Sequence, residues 1–381
     1  ALLTSYRLNQ DQQGAVREAY ETFRDHHAPF MVSIAAQMLP DLQQEIDQDP
    51  QRRIAFLGRD GHSLAAAVRS LDPDFFRENC SEVVLSRTVV EAALQDLEAN
   101  AGLSFPQLKP EVFREKHGDV AAEDVPGAFR HLTQYLQRNG IPVGKPGSAV
   151  TVVDTSFKGS VQEVLAAMYP GTSFAGRYAF FGQSPHDPHP GSKRGYVVHL
   201  EVDDEWQGSL HTELHNDPSL TFGTREAVQV IEYTQHGPFG SPERWTPKGP
   251  HQGAQRDEVQ PSPELNPIAV SQQYRNPLVR EAVKAAALMA IHDTAAEYAT
   301  RRTAGQEWSA PLMEARAQFT ENVRAWIQRR PLSDPRLSRL LDSFVARRDR
   351  KVNARFAEAL SSAGVSARDA LPYCIGRALS A

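Results

Sequence analysis

The chain has 381 residues, 23% of them charged and 40% hydrophobic, with a net charge of −6. Such a length buries a sizeable core and fits one large domain with an appendage, or two domains. The acidic balance excludes the basic footprint of a nucleic-acid binder, and no apolar run is long enough to span a membrane.

Residues 11–47 read as two helices, from apolar positions recurring at helical spacing. Residues 53–57 form a short apolar strand, broken at Gly58-Arg59-Asp60-Gly61 and followed by a helix over 62–71. A second strand (82–85) leads through Ser86-Arg87 into a helix over 88–97. Residues 102–127 are Pro- and charge-rich and read as irregular with short helices, and 129–138 as a helix. A third strand, Val150 to Val153, ends at Asp154 and passes through Thr155-Ser156-Phe157-Lys158-Gly159-Ser160 into a helix over 161–168. Strands follow at 174–181 and 195–202, separated by a Pro- and His-rich loop over 184–191. From about 238 to 267 the composition is that of an exposed loop or linker. Helices are expected over 277–301, 311–327, 334–345, 350–363 and 366–379, the last ones with basic outer faces.

Strands alternating with helices predict an α/β fold with a mostly parallel sheet flanked by helices, followed by an α-helical C-terminal region. The expected organisation is an α/β domain over 1–245, a linker or loop over 246–274 and a helical appendage over 275–381. Two cysteines, Cys80 and Cys374, make neither a disulfide framework nor a zinc site, so a reducing cytoplasm is the expected compartment. The N-terminus lacks a signal-peptide pattern and opens on Ala rather than Met, consistent with a missing leader or tag.

The loop after Val153 carries the most chemistry. A helix N-terminus offers free backbone N–H groups and partial positive charge, which suit a phosphate. Thr155, Ser156 and Ser160 add hydroxyls, Lys158 a cation and Gly159 a close backbone approach. Asp154 can face a sugar hydroxyl, or a metal directly or through water. The loop lacks the Gly-Lys-Ser/Thr order of a Walker motif and the paired Asp residues of a haloacid-dehalogenase nucleophile. A plain strand-to-helix turn with a Ser/Thr cap is the alternative.

The turn at 58–61 is a second anion-suited element. Its glycines let N–H groups approach an anion, and Arg59 can hold two phosphate oxygens. Asp60 can hold Mg²⁺ or accept a proton, and His62 can contact phosphate; an Arg–Asp pair stabilising the turn is the alternative. Ser86 and Arg87 are either further contacts to an anion or an N-cap with a solvated Arg. His211, Glu213, His215, Asn216 and Asp217, with Glu201, Asp203, Asp204 and Glu205, read as an acceptor-binding rim or a solvated face. Glu232 or His236 can supply a base, or close a helix as a structural C-cap.

FLGRDG (56–61), VVLSRT (83–88), VVDTSFKGSVQ (152–162) and VIEYTQHGPFGS (230–241), in this order over residues 50–245, resemble a bacterial family of ribofuranoside biosynthesis. Its members act in surface-polysaccharide and aminoglycoside-type pathways and resemble type I phosphoribosyltransferases. The resemblance implies a type I phosphoribosyltransferase-like fold and transfer of a 5-phosphoribosyl group from phosphoribosyl diphosphate to a sugar hydroxyl, with pyrophosphate released. It further implies Mg²⁺ at Asp60 and Asp154, and a diphosphate held by Arg59, Gly61, His62, Ser86 and Arg87. The 5-phosphate falls to Thr155, Ser156, Lys158, Gly159 and Ser160, and the acid–base work to Asp60, Asp154 and Glu232, with His236 nearby. Loops of this kind carry two adjacent acids; here Thr155 stands where the second would be. No phosphatase motif is present, so a separate phosphatase would act on the product. The rival expectations are a phosphatase or nucleotide hydrolase using the same crevice, and a non-catalytic sugar-phosphate-binding module.

Overall fold

The computed structural model describes residues 5–110, 112–114, 120–200, 225–235, 240–253 and 269–345. The expected helices over 350–363 and 366–379, the rim at 201–217 and His236 lie outside the described residues.

Helix α1 (Gln10–Thr22) starts at a capping box: Asn9 accepts from the Gln12 amide while Gln12 returns a bond to the Asn9 amide. It runs through a π-helical turn (Phe23–His27) into α2 (Ala28–Gln48). Strand β1 (Arg53–Gly58) feeds α3 (Gly61–Leu71). A short helix α4 (Pro73–Asn79), absent from the sequence expectation, precedes β2 (Cys80–Val84). Its start has a local cause: Asp72 caps the Phe75 amide and Pro73 presets the first helical φ. Then come α5 (Arg87–Ala101), α6 (Ala128–Arg138), β3 (Ser148–Asp154), α7 (Ser160–Met168), β4 (Thr172–Gly182) and β5 (Lys193–Leu200). Helix α8 (Arg225–Gln235) is followed by a two-stranded antiparallel ribbon, β6 (Arg244–Thr246) and β7 (Gly249–His251). The chain ends, as far as described, with α9 (Pro277–Thr303), α10 (Ser309–Ile327) and α11 (Pro335–Phe344).

The five strands form one all-parallel sheet in the order β2-β1-β3-β4-β5. Alternation along β1 divides two cores: Ile54 and Phe56 face one, Ala55 and Leu57 the other. Helices α5, α6 and α7 cover the second face. The first face is covered by α1, α2, α3 and α8 together with α9, α10 and α11. The C-terminal helices, expected as an appendage, therefore share one apolar core with the N-terminal helices. Tyr20 bonds Asp293 at 2.6 Å and Arg24 bonds Glu297 at 2.6 Å, tying α1 and the π turn to α9. The ribbon lies inside the segment expected as an exposed linker. Trp245, buried, donates from Nε1 to the Val89 carbonyl at 2.8 Å and so packs the ribbon on α5. Among the described residues, no helix is long and apolar enough to cross a membrane.

The strand order reverses at β1, whose helix α3 lies on one face while α7, after β3, lies on the other. Loops diverging this way open a crevice at the carboxyl ends of β1 and β3, the general ligand position in such sheets.

Candidate functional site

Both strand-end turns come to that crevice. The bonds Gly58–Arg59 and Ser156–Phe157 are cis peptides. At the first turn the His62 imidazole occupies the place where a Cβ on Gly58 would sit. His62 Nδ1 lies 2.6 Å from Glu82 Oε2 on β2, and Arg69 bonds the other Glu82 oxygen. Burial works against the ionised Glu82 carboxyl, but the bonds from His62 and Arg69 outweigh it and hold it below its ordinary value. Gly61 opens α3 directly against the end of β3.

The second turn is pinned to β4 by its backbone. The Phe180 amide donates to the Thr155 carbonyl at 2.8 Å, and the Gly182 amide to the Phe157 carbonyl at 3.3 Å. Gly159, at φ +72°, precedes α7 in a left-handed conformation that only glycine adopts without strain. It also leaves no room for a side chain: a Cβ there would stand 2.8 Å from both Lys193 Cε and the Tyr178 hydroxyl oxygen. Ser156 donates its hydroxyl to Glu232 of α8, which brings that carboxylate to the loop. The Thr155 Oγ1 atom is buried with no hydrogen-bond partner among the described residues.

Electrostatics divide the crevice. Burial pushes the Asp154 carboxyl well up, the Asp60 and Glu232 charges push it further, and the Thr155 amide at 2.7 Å and Arg59 oppose them. Burial also raises Asp60, against the Arg59 guanidinium at 3.3 Å and the nearby His62. Asp60 and Asp154 thus share the Arg59 guanidinium, and Glu232 adds its charge beside Asp154. At the α7 end of the loop, burial lowers the Lys158 ammonium, and the charge of Arg87 at the start of α5 lowers it further. An anion relieves these cations, and a cation relieves the acids.

Of the expected site residues, Arg59, Asp60, Gly61, Asp154, Thr155, Ser156 and Glu232 converge. Lys158 feels the charge of Arg87, and Gly159 and Ser160 open α7 as expected. His62 is turned to Glu82. The Ser86 hydroxyl caps the Val89 amide at 3.2 Å and donates to the Pro242 carbonyl at 2.6 Å, so it anchors the ribbon segment. The Glu163–Lys193–Asp187 cluster beneath Gly159 was not legible in the sequence. Nothing in the spacing of residues 163, 187 and 193 joins a helix turn, a loop and a strand; the sole signal is a Lys opening a strand.

Among the described residues, no group of three or more His, Cys, Asp or Glu side chains is arranged to hold a metal. Asp60 and Asp154 offer two carboxylates that repel each other and share one guanidinium. That donor set fits Mg²⁺, which is usually bound by one or two carboxylates, water and substrate phosphates.

No protein-family model matches this chain. No curated protein matches it either.

Proposed function

We propose that the chain transfers a 5-phosphoribosyl group from phosphoribosyl diphosphate to a hydroxyl of a sugar acceptor, an aminoglycoside or a glycan, with release of pyrophosphate. The observation that carries this reading is the division of one crevice into an acid cluster beside Arg59, where Gly61 sets Asp60 against Asp154 and Ser156 brings in Glu232, and a loop carrying Lys158 that opens helix α7. A donor with phosphates at both ends of a sugar matches that division; a single phosphate does not use both halves.

In this reading the loop 155–160 holds the 5-phosphate through Lys158, the hydroxyls and the first amides of α7. Binding remote from C1 then orients the sugar for reaction. Arg59 and the backbone of 59–62 take the diphosphate, whose charge grows as it departs. Asp154, where the acid half meets the start of the loop 155–160, stabilises the positive charge that develops on the ribosyl ring. Asp154, joined by Asp60 wherever that carboxyl does not serve as base, would hold Mg²⁺, which supplies charge neutralisation at the diphosphate. The acceptor hydroxyl must lose a proton. Asp60 is the first choice of base, because burial raises it towards the range where a carboxylate removes protons effectively. Glu232, held by Ser156, is the second. Attack opposite the diphosphate gives a β-ribofuranoside 5-phosphate, which a separate phosphatase would then process.

Incubation with phosphoribosyl diphosphate, Mg²⁺ and candidate acceptors tests the proposal. Acceptor-dependent pyrophosphate release is expected. Phosphate release without acceptor marks a phosphatase or nucleotide hydrolase, and donor binding without turnover marks a binding module.

A further inference from the structure

Beneath Gly159 lies a charged cluster that the proposed chemistry does not use. Lys193, 4% exposed, opens β5, and its ammonium bonds Glu163 in the first turn of α7. The same ammonium bonds both carboxylate oxygens of Asp187, at 2.8 and 3.0 Å, in the loop between β4 and β5. Glu163 is 0% exposed and takes a further contact from His189 Nδ1 at 2.6 Å. A helix turn, a loop and a strand thus meet on one buried ammonium, Asp187 from six residues before Lys193 and Glu163 from thirty. A buried ammonium and its carboxylates lose their water, so each depends on the others' geometry.

This cluster adjoins the phosphate loop at its most constrained point. The Lys193 stem forms the floor under Gly159, which is why a Cβ there would stand 2.8 Å from Lys193 Cε. The Glu163 amide donates to the Gly159 carbonyl at 3.0 Å, so the turn that Lys193 grips is the turn Gly159 begins. The amides that open α7 can serve a phosphate only if that turn stays in register with the loop.

We infer that Lys193 is a positioning residue: through Glu163 and Asp187 it fixes the loop 155–160 in the geometry that receives the 5-phosphate. It does not touch the donor, since both faces of its ammonium are taken by buried carboxylates. The inference rests on the phosphoribosyl reading of that loop and adds to it the buried support that makes the loop selective.

The test uses ribose 5-phosphate and pyrophosphate as separate ligands in calorimetric titrations with Mg²⁺. Lys193→Met keeps the stem and removes the charge. Asp187→Ala leaves the Lys193–Glu163 pair balanced and serves if Lys193→Met does not fold. Either folded variant is expected to bind ribose 5-phosphate about tenfold more weakly, with pyrophosphate affinity within about twofold of wild type, because the charge-assisted bonds from the α7 amides to the phosphate lose their register. A general structural lesion would weaken both ligands together and would overturn the positioning role. So would unchanged ribose 5-phosphate binding in Asp187→Ala. A wild-type chain that binds neither ligand overturns the phosphoribosyl reading itself.

Discussion

A Cβ atom on Gly61 would stand 3.0 Å from the carbonyl oxygen of Val153. The first residue of α3 therefore touches the last turn of backbone before Asp154. Neither partner can yield easily, because one is a helix start and the other a strand carbonyl. This contact sets Asp60, one residue before Gly61, beside Asp154, one residue after Val153, and so builds the acid cluster from two separate strand ends.

Gly61→Ala is expected to lift α3 away from β3. Overpacking of this kind costs about 1–3 kcal/mol of stability. The larger effect is catalytic: kcat/KM for the donor should fall by about 10- to 100-fold, because reacting groups on the two turns lose register. Thermal unfolding and steady-state kinetics on the same preparation separate the two effects.

Asp154 carries a stability consequence with a definite sign. Its ordinary value is 3.8, and burial with the neighbouring Asp60 raises it well above that in the folded chain. Between the two values the folded state holds a proton that the unfolded state has released. Stability therefore falls as pH rises through that window. Asp154→Asn removes the titration, so the variant should unfold at a higher temperature than wild type near neutral pH. The advantage should shrink towards about pH 4, the ordinary carboxyl range. The same variant should lose at least about 100-fold in kcat, as expected when a group stabilising transition-state charge is removed. A thermal midpoint that is lower at neutral pH would contradict the electrostatic account of the crevice.

The charge of Arg87 acts on Lys158, so Arg87 can serve the 5-phosphate half of the site as well as the diphosphate expected for it. Lys158→Ala and Arg87→Gln should each raise the donor KM by about 10- to 100-fold, matching about 1.5–3 kcal/mol for a hydrogen bond to a charged group. Ribose 5-phosphate should lose affinity in both variants. An Arg87→Gln variant that loses pyrophosphate affinity but retains ribose 5-phosphate affinity would leave Arg87 with the diphosphate alone.

Much of this arrangement was legible in the chain. Gly58 and Gly61 bracket a turn that only makes sense between a strand and a helix. The β-branched run before Asp154 announces a buried strand, and the hydroxyl-rich loop after it announces the start of α7. These signals are local, and the parallel sheet follows from their alternation. Contacts between distant segments left no such trace. The Ser86 hydroxyl is an N-cap as expected of its position, yet its bond to Pro242 depends on where a ribbon 156 residues later packs. The packing of α9 on α1 and α3 was equally hidden, because an amphipathic helix declares that it has an apolar face and not what covers it. Lys193 shows the same limit: two carboxylates make its burial possible, and both arrive from other elements.

Ser156 and Glu232 offer a separate test of the base. Glu232→Gln preserves the acceptor oxygen for Ser156 but removes the charge. If Asp60 is the base, Asp60→Asn should reduce kcat by about 10²- to 10⁴-fold, the range for general-base removal, while Glu232→Gln has the smaller effect. The reverse order assigns the role to Glu232. Rates measured at saturating donor and acceptor decide between them.

The central claim is that the bond broken lies at C1, with the 5-phosphate serving only as an anchor. Phosphorus NMR of phosphoribosyl diphosphate, Mg²⁺, acceptor and the wild-type chain follows every phosphorus atom at once. The account predicts that the diphosphate resonances convert to those of free pyrophosphate in an acceptor-dependent manner, while the 5-phosphate remains a monoester bound to sugar. Growth of inorganic phosphate at the expense of the 5-phosphate, with the C1 diphosphate intact, would contradict it.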